Sequence, residues 1–154
     1  MSEILVRHAT SADIDAVYAI ECDCFADAWT RSSFEFLLTS DAHLFAVATL
    51  CDRVVGYAVW SVIPPEGELC DIAVDAPMRG QGIGGRLIDD FLGYARERGI
   101  GSIYLEVRRS NEGAARLYEK FDFRPIGVRK NYYSSPREDA IVMCREEEFG
   151  DNCV

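Results

Sequence analysis

Residues 69–92 read LCDIAVDAPMRGQGIGGRLIDDFL, and the rest of the chain is organised around this stretch. Residues 69–74 form an apolar strand, which passes through Asp75, Ala76 and Pro77 into Arg79, Gly80, Gln81, Gly82, Ile83, Gly84 and Gly85. A helix is expected at once, because Ile83, Leu87, Ile88, Phe91, Leu92 and Ala95 fall on one face at helical spacing. Glycines at a strand-to-helix junction leave backbone N–H groups uncovered. The helix N-terminus adds unpaired donors and the positive end of its dipole. The loop is therefore an anion cradle, suited to a pyrophosphate.

Two motif readings compete for it. Residues 80–85 spell G-x-G-x-x-G, and Glu106 follows about twenty residues later, as a dinucleotide fingerprint requires. The alternative, Arg79-x-x-Gly82-x-Gly84, resembles the pyrophosphate loop of the GNAT acyltransferases, which bind acetyl-CoA. A dinucleotide loop follows its strand without a gap, whereas residues 75–79 intervene here. Residues 1–68 do not read as βαβ, and 154 residues leave no room for a doubly wound sheet plus a substrate domain. A purely structural turn would not need four glycines at 80, 82, 84 and 85, which cost the helix entropy.

The chain length suits one domain, 1–146, with 147–154 as an acidic, frayed tail, and 49% hydrophobic residues are globular. A formal net charge of −10 argues against a nucleic-acid surface and fits a basic peptide or protein partner. No apolar run approaches a membrane span, and MSEILVRHAT is no signal peptide, so a cytoplasmic protein is expected. The cysteines Cys22, Cys24, Cys51, Cys70, Cys144 and Cys153 show no C-x-x-C pair. Neither a disulfide framework nor a metal site is expected. Cys51, Cys70 and Cys144 read as small apolar strand residues.

Taken in order, residues 4–7 form a strand, and Ser11 caps a helix reaching about Cys24. Residues 25–29 are an aperiodic loop, and Thr30 caps a second helix to about Thr39. HLFAVATL and VVGYAVWSVI make a hairpin across 51–53, and 64–67 is a turn. After the long helix, 102–107 is a strand, and Asn111 caps a helix carrying Leu117, Tyr118 and Phe121. Residues 123–129 and 140–145 are the last strands, with 131–139 an irregular loop. The order β-α-α-β-β-β-α-β-α-β-β implies an α+β domain whose sheet is mixed.

Glu106, between Leu105 and Val107, has two readings. On an inner face it is a desolvated carboxylate with a raised pKa, useful as a general base; by period-2 alternation it turns outward to water. Tyr118 is core or catalytic, and Asn111 is a helix cap or a ligand contact as well. Residues 105–123, with Leu105-Glu106-Val107-Arg108, Ser110-Asn111 and Leu117-Tyr118-Glu119-Lys120, resemble the second acetyl-CoA motif of the GNAT superfamily. Asn131-Tyr132-Tyr133 and Arg137-Glu138-Asp139-Ala140 resemble the ribosomal-protein alanine N-acetyltransferases among the N-terminal acetyltransferases. Three motifs in the right order span about residues 4–145.

The resemblance implies a single-domain GNAT fold with a splayed parallel strand pair at the CoA site. It implies acetyl-CoA as co-substrate, no metal, and direct transfer in a ternary complex to a protein α-amine. The favoured acceptor is the N-terminal alanine of a small-subunit ribosomal protein. It assigns Ile72, Ala73 and Val74 to pantetheine pairing, Gly80–Gly85 to the pyrophosphate, Asn111 to CoA, Glu106 to base and Tyr118 to acid. Trp29 resembles the family's interhelical aromatic and Tyr132 and Tyr133 the substrate wall; otherwise Trp29 staples two helices and the tyrosines pack a sheet edge. Gly80 stands where Arg or Lys is common, so Arg79 or Arg86 takes over the phosphate, and Ser134-Ser135-Pro136 departs from the pattern. The remaining alternatives are broad N-terminal acetylation, small-amine acetylation, a non-catalytic acyl-CoA sensor and a nicotinamide oxidoreductase.

Overall fold

A computed structural model of the protein describes residues 3–147. The expected tail beyond Glu147, and Cys153 with it, lies outside the described residues. The strands are β1 (Ile4–His8), β2 (His43–Leu50), β3 (Arg53–Ile63), β4 (Glu66–Val74), β5 (Ser102–Arg108), β6 (Arg124–Ser134) and β7 (Arg137–Glu146). The helices are α1 (Ile14–Cys24), α2 (Arg31–Leu37), α3 (Ile83–Glu97) and α4 (Glu112–Lys120), so the element order is the one read from the sequence. The sheet order is β1-β2-β3-β4-β5-β7-β6, with β4–β5 parallel and β1–β2, β2–β3, β5–β7 and β6–β7 antiparallel. The described residues form two compact units, 3–61 with Cys70–Phe91, and Val62–Leu69 with 92–147.

In the first unit the chain enters α1 through a 3-10 turn, Ser11–Asp13, and the capping residue is Thr10, not Ser11. Asp13 explains the shift. Its Oδ2 accepts from the Thr10 backbone N–H at 2.8 Å, and its two oxygens receive Arg7 at 2.7 and 2.9 Å. Arg7 thereby holds the Asp13 carboxyl below its ordinary range. Thr30 caps α2 as expected, its Oγ1 accepting from Ser33 N at 3.2 Å. Cys51 and Asp52 both take positive φ (51° and 64°), the two-residue turn that matches strand twist, so Cys51 is an exposed turn residue and not an apolar strand one. Phe34 centres the core, with Trp29, Phe45 and Tyr57 rings 5.5 to 5.7 Å away. Val17, Val47 and Val59 close around the same cluster.

In the second unit, β5 alternates, the second of the two readings left open for Glu106. Ile103, Leu105 and Val107 are buried, and Ser102, Tyr104 and Glu106 lie on the other face. Tyr118 of α4 packs edge-on against Phe123 at 6.0 Å, and the buried Arg145 donates to Phe121 O at 2.8 Å, tying the end of α4 to β7. Two strand assignments need correction. β4 begins at Glu66, inside the segment read as a turn, and pairs Glu66–Glu68 with Ser102–Tyr104. Residues 131–139 are not an irregular loop: β6 and β7 continue through Tyr133↔Glu138 to Ser134↔Arg137. The polar composition there hides a bulge, at which Asn131 takes φ 53° and its N–H donates to Asp139 Oδ1 at 2.9 Å.

Candidate active site

The glycine loop belongs to the first unit. β4 ends at Val74, the Asp75 N–H donates to Val55 O at 2.8 Å, and a 3-10 turn, Ala76–Met78, fills the gap noted in the sequence. Gly80 and Gly82 both have φ +81°, a conformation side chains resist, and a Cβ at either would have nothing within 4 Å. Gly82 O accepts from Arg86 N at 3.0 Å, which starts α3. This is an open backbone concavity ahead of a helix N-terminus, and it fits a pyrophosphate. The positive φ also explains why Gly80 replaces a longer side chain. Arg79 is already engaged: its Nε donates to Val74 O at 3.2 Å and its Nη2 to Cys24 Sγ at 3.0 Å. Arg86, exposed in the first turn of α3, remains as the expected phosphate partner.

Ile72, Ala73 and Val74 occupy the end of β4, with Ala73 buried. Gly56 on β3 permits the close packing there, since a Cβ would stand 3.0 Å from Ala73 O and 3.2 Å from Ile83 Cγ2. Trp29 packs on Phe34, and its backbone N–H donates to Glu21 Oε2 at 2.9 Å.

That carboxylate leads to a cluster the sequence analysis missed. Glu21 is 2% exposed, and the buried Tyr57 hydroxyl donates to its other oxygen. Asp71, next to it, is pushed up to about 9 by burial and then by its hydrogen bond with Glu21, and its Oδ2 has no partner among the described residues. Glu21 falls on the Val17–Ile20 face of α1, an acid in an apolar stripe, and that was the available signal. A carboxyl whose folded pKa is raised stabilises fully below its unfolded value, and that stability is lost as pH rises through the folded value. Asp71→Asn should therefore be more stable than wild type at pH 8 and flatten the fall of Tm between about pH 5 and 9. Parallel melting curves across that range test this, and equal slopes would refute it.

The second unit holds the other predicted residues. Glu106 is on the non-core face of β5, yet its side chain is only 13% exposed, so neither sequence reading was complete. Arg129 Nε sits 2.8 Å from Glu106 Oε2, and Tyr132 on β6 and Glu68 on β4 hydrogen-bond to the same carboxyl group. Tyr132 and Tyr133 meet edge to face at 5.0 Å. Burial raises both phenols, Tyr133 to about 12, so both stay protonated at neutral pH. Arg108 lies 4.3 Å above the Tyr133 ring, pairs with Glu138 at 3.2 Å, and donates to Pro136 O and Ser135 O at 3.0 and 3.3 Å. Glu138 Oε2 accepts from Ser110 N at 2.6 Å. Asn111 caps α4, its Oδ1 accepting from Ala114 N at 3.1 Å. Thus Glu106 and the two tyrosines come together, with Glu68, Arg129 and Arg108 as unpredicted companions. Among the described residues no three His, Cys, Asp or Glu side chains group as metal ligands, and no helix is long and apolar enough to cross a membrane.

A model of the acetyltransferase (GNAT) family matches residues 14–123. The chain belongs to the GNAT family. A Bacillus subtilis protein provisionally named as a ribosomal protein bS18-alanine N-acetyltransferase is 36% identical over 140 residues, covering 90% of this chain and 92% of its own. The Salmonella typhimurium ribosomal protein bS18-alanine N-acetyltransferase is 33% identical over 136 residues, covering 87% and 91%. The crystal structure of the Escherichia coli ribosomal-protein-S18-alanine N-acetyltransferase superposes with a TM-score of 0.89 at 31% identity, covering 97% of this chain and 98% of that one. The GNAT fold, its mixed sheet with one parallel pair, and N-acetyltransferase chemistry are thereby established, and the dinucleotide reading of the loop is set aside.

Proposed function

We propose that this protein, with residues 1–146 as one catalytic domain, transfers the acetyl group of acetyl-CoA to the α-amine of a protein N-terminus in the cytoplasm. The preferred acceptor is the N-terminal alanine of a small-subunit ribosomal protein of the bS18 kind. The observation that carries the reading is the shielded Glu106 carboxyl held by Arg129 beside the Tyr132–Tyr133 wall. The named relatives act on such an acceptor, and the net charge of −10 suits a basic protein partner.

An α-ammonium, with an ordinary pKa near ~8, must lose a proton before it can attack. Glu106 takes that proton, directly or through water, while Arg129 fixes the carboxylate's orientation. Bound acetyl-CoA supplies the thioester carbonyl as electrophile. The N–H groups of 80–85 and of α3 would hold its pyrophosphate, Arg86 and Asn111 would add side-chain contacts, and the backbone of Ile72, Ala73 and Val74 would pair with the pantetheine arm and polarise the carbonyl. Tyr118, buried on α4, would give its hydroxyl proton to the departing sulfur. Tyr132 and Tyr133 wall the first residue of the acceptor.

The test uses purified protein, acetyl-CoA and peptides beginning Ala, Ser or Met, plus one with a blocked α-amine and a free lysine. Mass spectrometry locates the acetyl group. Transfer confined to the Ala α-amine supports the proposal, and transfer to several N-termini replaces it with the broad activity. Label on lysine alone overturns it. No peptide transfer with CoA still bound indicates a small-amine substrate or a sensor. Tyr118→Phe keeps the Phe123 contact, so kcat should fall about 10²-fold with peptide KM near wild type. An unaltered rate removes the acid role.

A further inference from the structure

Val74 and Asp75 share the peptide group that closes β4, and both of its polar atoms are held. Its N–H, on Asp75, donates to Val55 O of β3 at 2.8 Å, and its C=O, on Val74, accepts from Arg79 Nε at 3.2 Å. A planar peptide group tied at its two opposite atoms cannot rotate about the chain. The other branch of the guanidinium is tied as well. Arg79 Nη2 donates at 3.0 Å to Sγ of Cys24, the last residue of α1, and the Cys24 thiol donates at 3.8 Å to the same Val74 oxygen. The ends of α1 and β4 and the entry to the glycine loop thus meet on one guanidinium. Its fork makes this arrangement possible, because it presents donors on several nitrogens in fixed directions, whereas a lysine ammonium is a single point. The ladder with β5 pairs Glu66–Glu68, well before this end of the strand.

We propose that Arg79 is a positioning residue for acetyl-CoA and not a phosphate ligand. It acts through the Val74 carbonyl, holding the end of β4 in the orientation that pairs with the pantetheine arm. The inference rests on the reading of Ile72, Ala73 and Val74 as the pantetheine strand. Hydrogen bonding to an extended arm needs N–H and C=O groups at fixed angles, and a strand end left to rotate would bind that arm at an entropic cost. Pinning the peptide group removes the cost before the ligand arrives. The pyrophosphate is left to the N–H groups of 80–85 and to Arg86. Arg79 therefore bears on the arm alone, a division that a ligand lacking the arm can read.

The experiment compares Arg79→Met, which keeps a long side chain without a donor, with Arg79→Lys, which keeps the charge, in the full chain. Calorimetry measures the dissociation constants of CoA and of ADP bearing a 3′-phosphate, which is CoA without its pantetheine arm. Arg79→Met should weaken CoA about tenfold, the loss of one charge-assisted hydrogen bond. The armless nucleotide should weaken by no more than about twofold, the share of a screened surface charge. Arg79→Lys should fall between wild type and Arg79→Met for CoA and leave the nucleotide unchanged. Amide exchange reads the strand directly. The Asp75 N–H should exchange faster in unliganded Arg79→Met than in wild type. In wild type, CoA should slow exchange of the amides of 72–74, and the armless nucleotide should not. Equal weakening of both ligands makes Arg79 a phosphate partner and overturns the proposal, as does unchanged CoA affinity or unchanged Asp75 exchange. If CoA slows exchange at 72–74 in those cases, the pantetheine reading stands and only the role of Arg79 fails. No slowing there in wild type overturns both.

Discussion

Glu106→Gln should cut kcat by about 10² to 10³-fold while acetyl-CoA affinity stays within about twofold of wild type. The amide keeps the side chain's size and can still accept from Arg129 and Tyr132, so the β5–β6 contact persists. What disappears is the ability to take a proton. The defect should be greatest at mildly acidic pH, where almost all the acceptor is ammonium, and should shrink as pH rises past the amine's own pKa of about 8. Steady-state rates with an Ala-peptide from pH 6 to 9.5, together with a CoA-binding isotherm, check this. A uniform defect across pH, or wild-type turnover, would remove the base assignment; lost CoA binding would mean that the substitution had disturbed more than the carboxyl.

Glu21→Ala should be the most destabilising change at the polar cluster, costing about 3 to 5 kcal/mol. Three groups lose their partner together: the Tyr57 hydroxyl, the Trp29 backbone N–H and the Asp71 carboxyl. All depend on a side chain that is almost completely buried, where water cannot replace it. For a chain of this size the melting temperature should drop by on the order of 10 °C. Glu21→Gln retains an acceptor for Trp29 and relieves the crowding of two acids, and it should cost well under half as much. Thermal melts of the two variants side by side decide the matter. Equal losses would show that charge rather than hydrogen bonding holds the cluster.

The element order could be read along the chain because the apolar periods are clean where the core is. Ile83, Leu87, Ile88, Phe91 and Leu92 are all buried on the one face assigned to them. Local chemistry misled where polar residues build regular structure. Pro64, Pro65 and Glu66 signal a turn, yet Gly67 and Leu69 alternate inward with Glu66 and Glu68 outward, which is a strand pattern. Losing those residues to a turn also lost Glu68. Asn131 hid the end of β6 in the same way, because a bulge shifts the period by one residue. Motif glycines and a caps-and-strands reading located the loop, Glu106 and the tyrosines. Their partners could not be found that way: Arg129, Arg108 and Glu138 meet them across strands, at pairings that depend on register. The Glu21–Tyr57 bond spans 36 positions of sequence and follows from packing alone.

Arg108 grips the β6–β7 turn through the main-chain oxygens of Ser135 and Pro136, while its ring contact reaches back to Tyr133. A bond to a carbonyl oxygen is indifferent to the side chain that residue carries. The turn can therefore accept substitutions at 135 and 136 that preserve its path without shifting the tyrosine beside it. Variation at these positions changes what the tip displays, while the Tyr133 ring keeps its seat under the guanidinium.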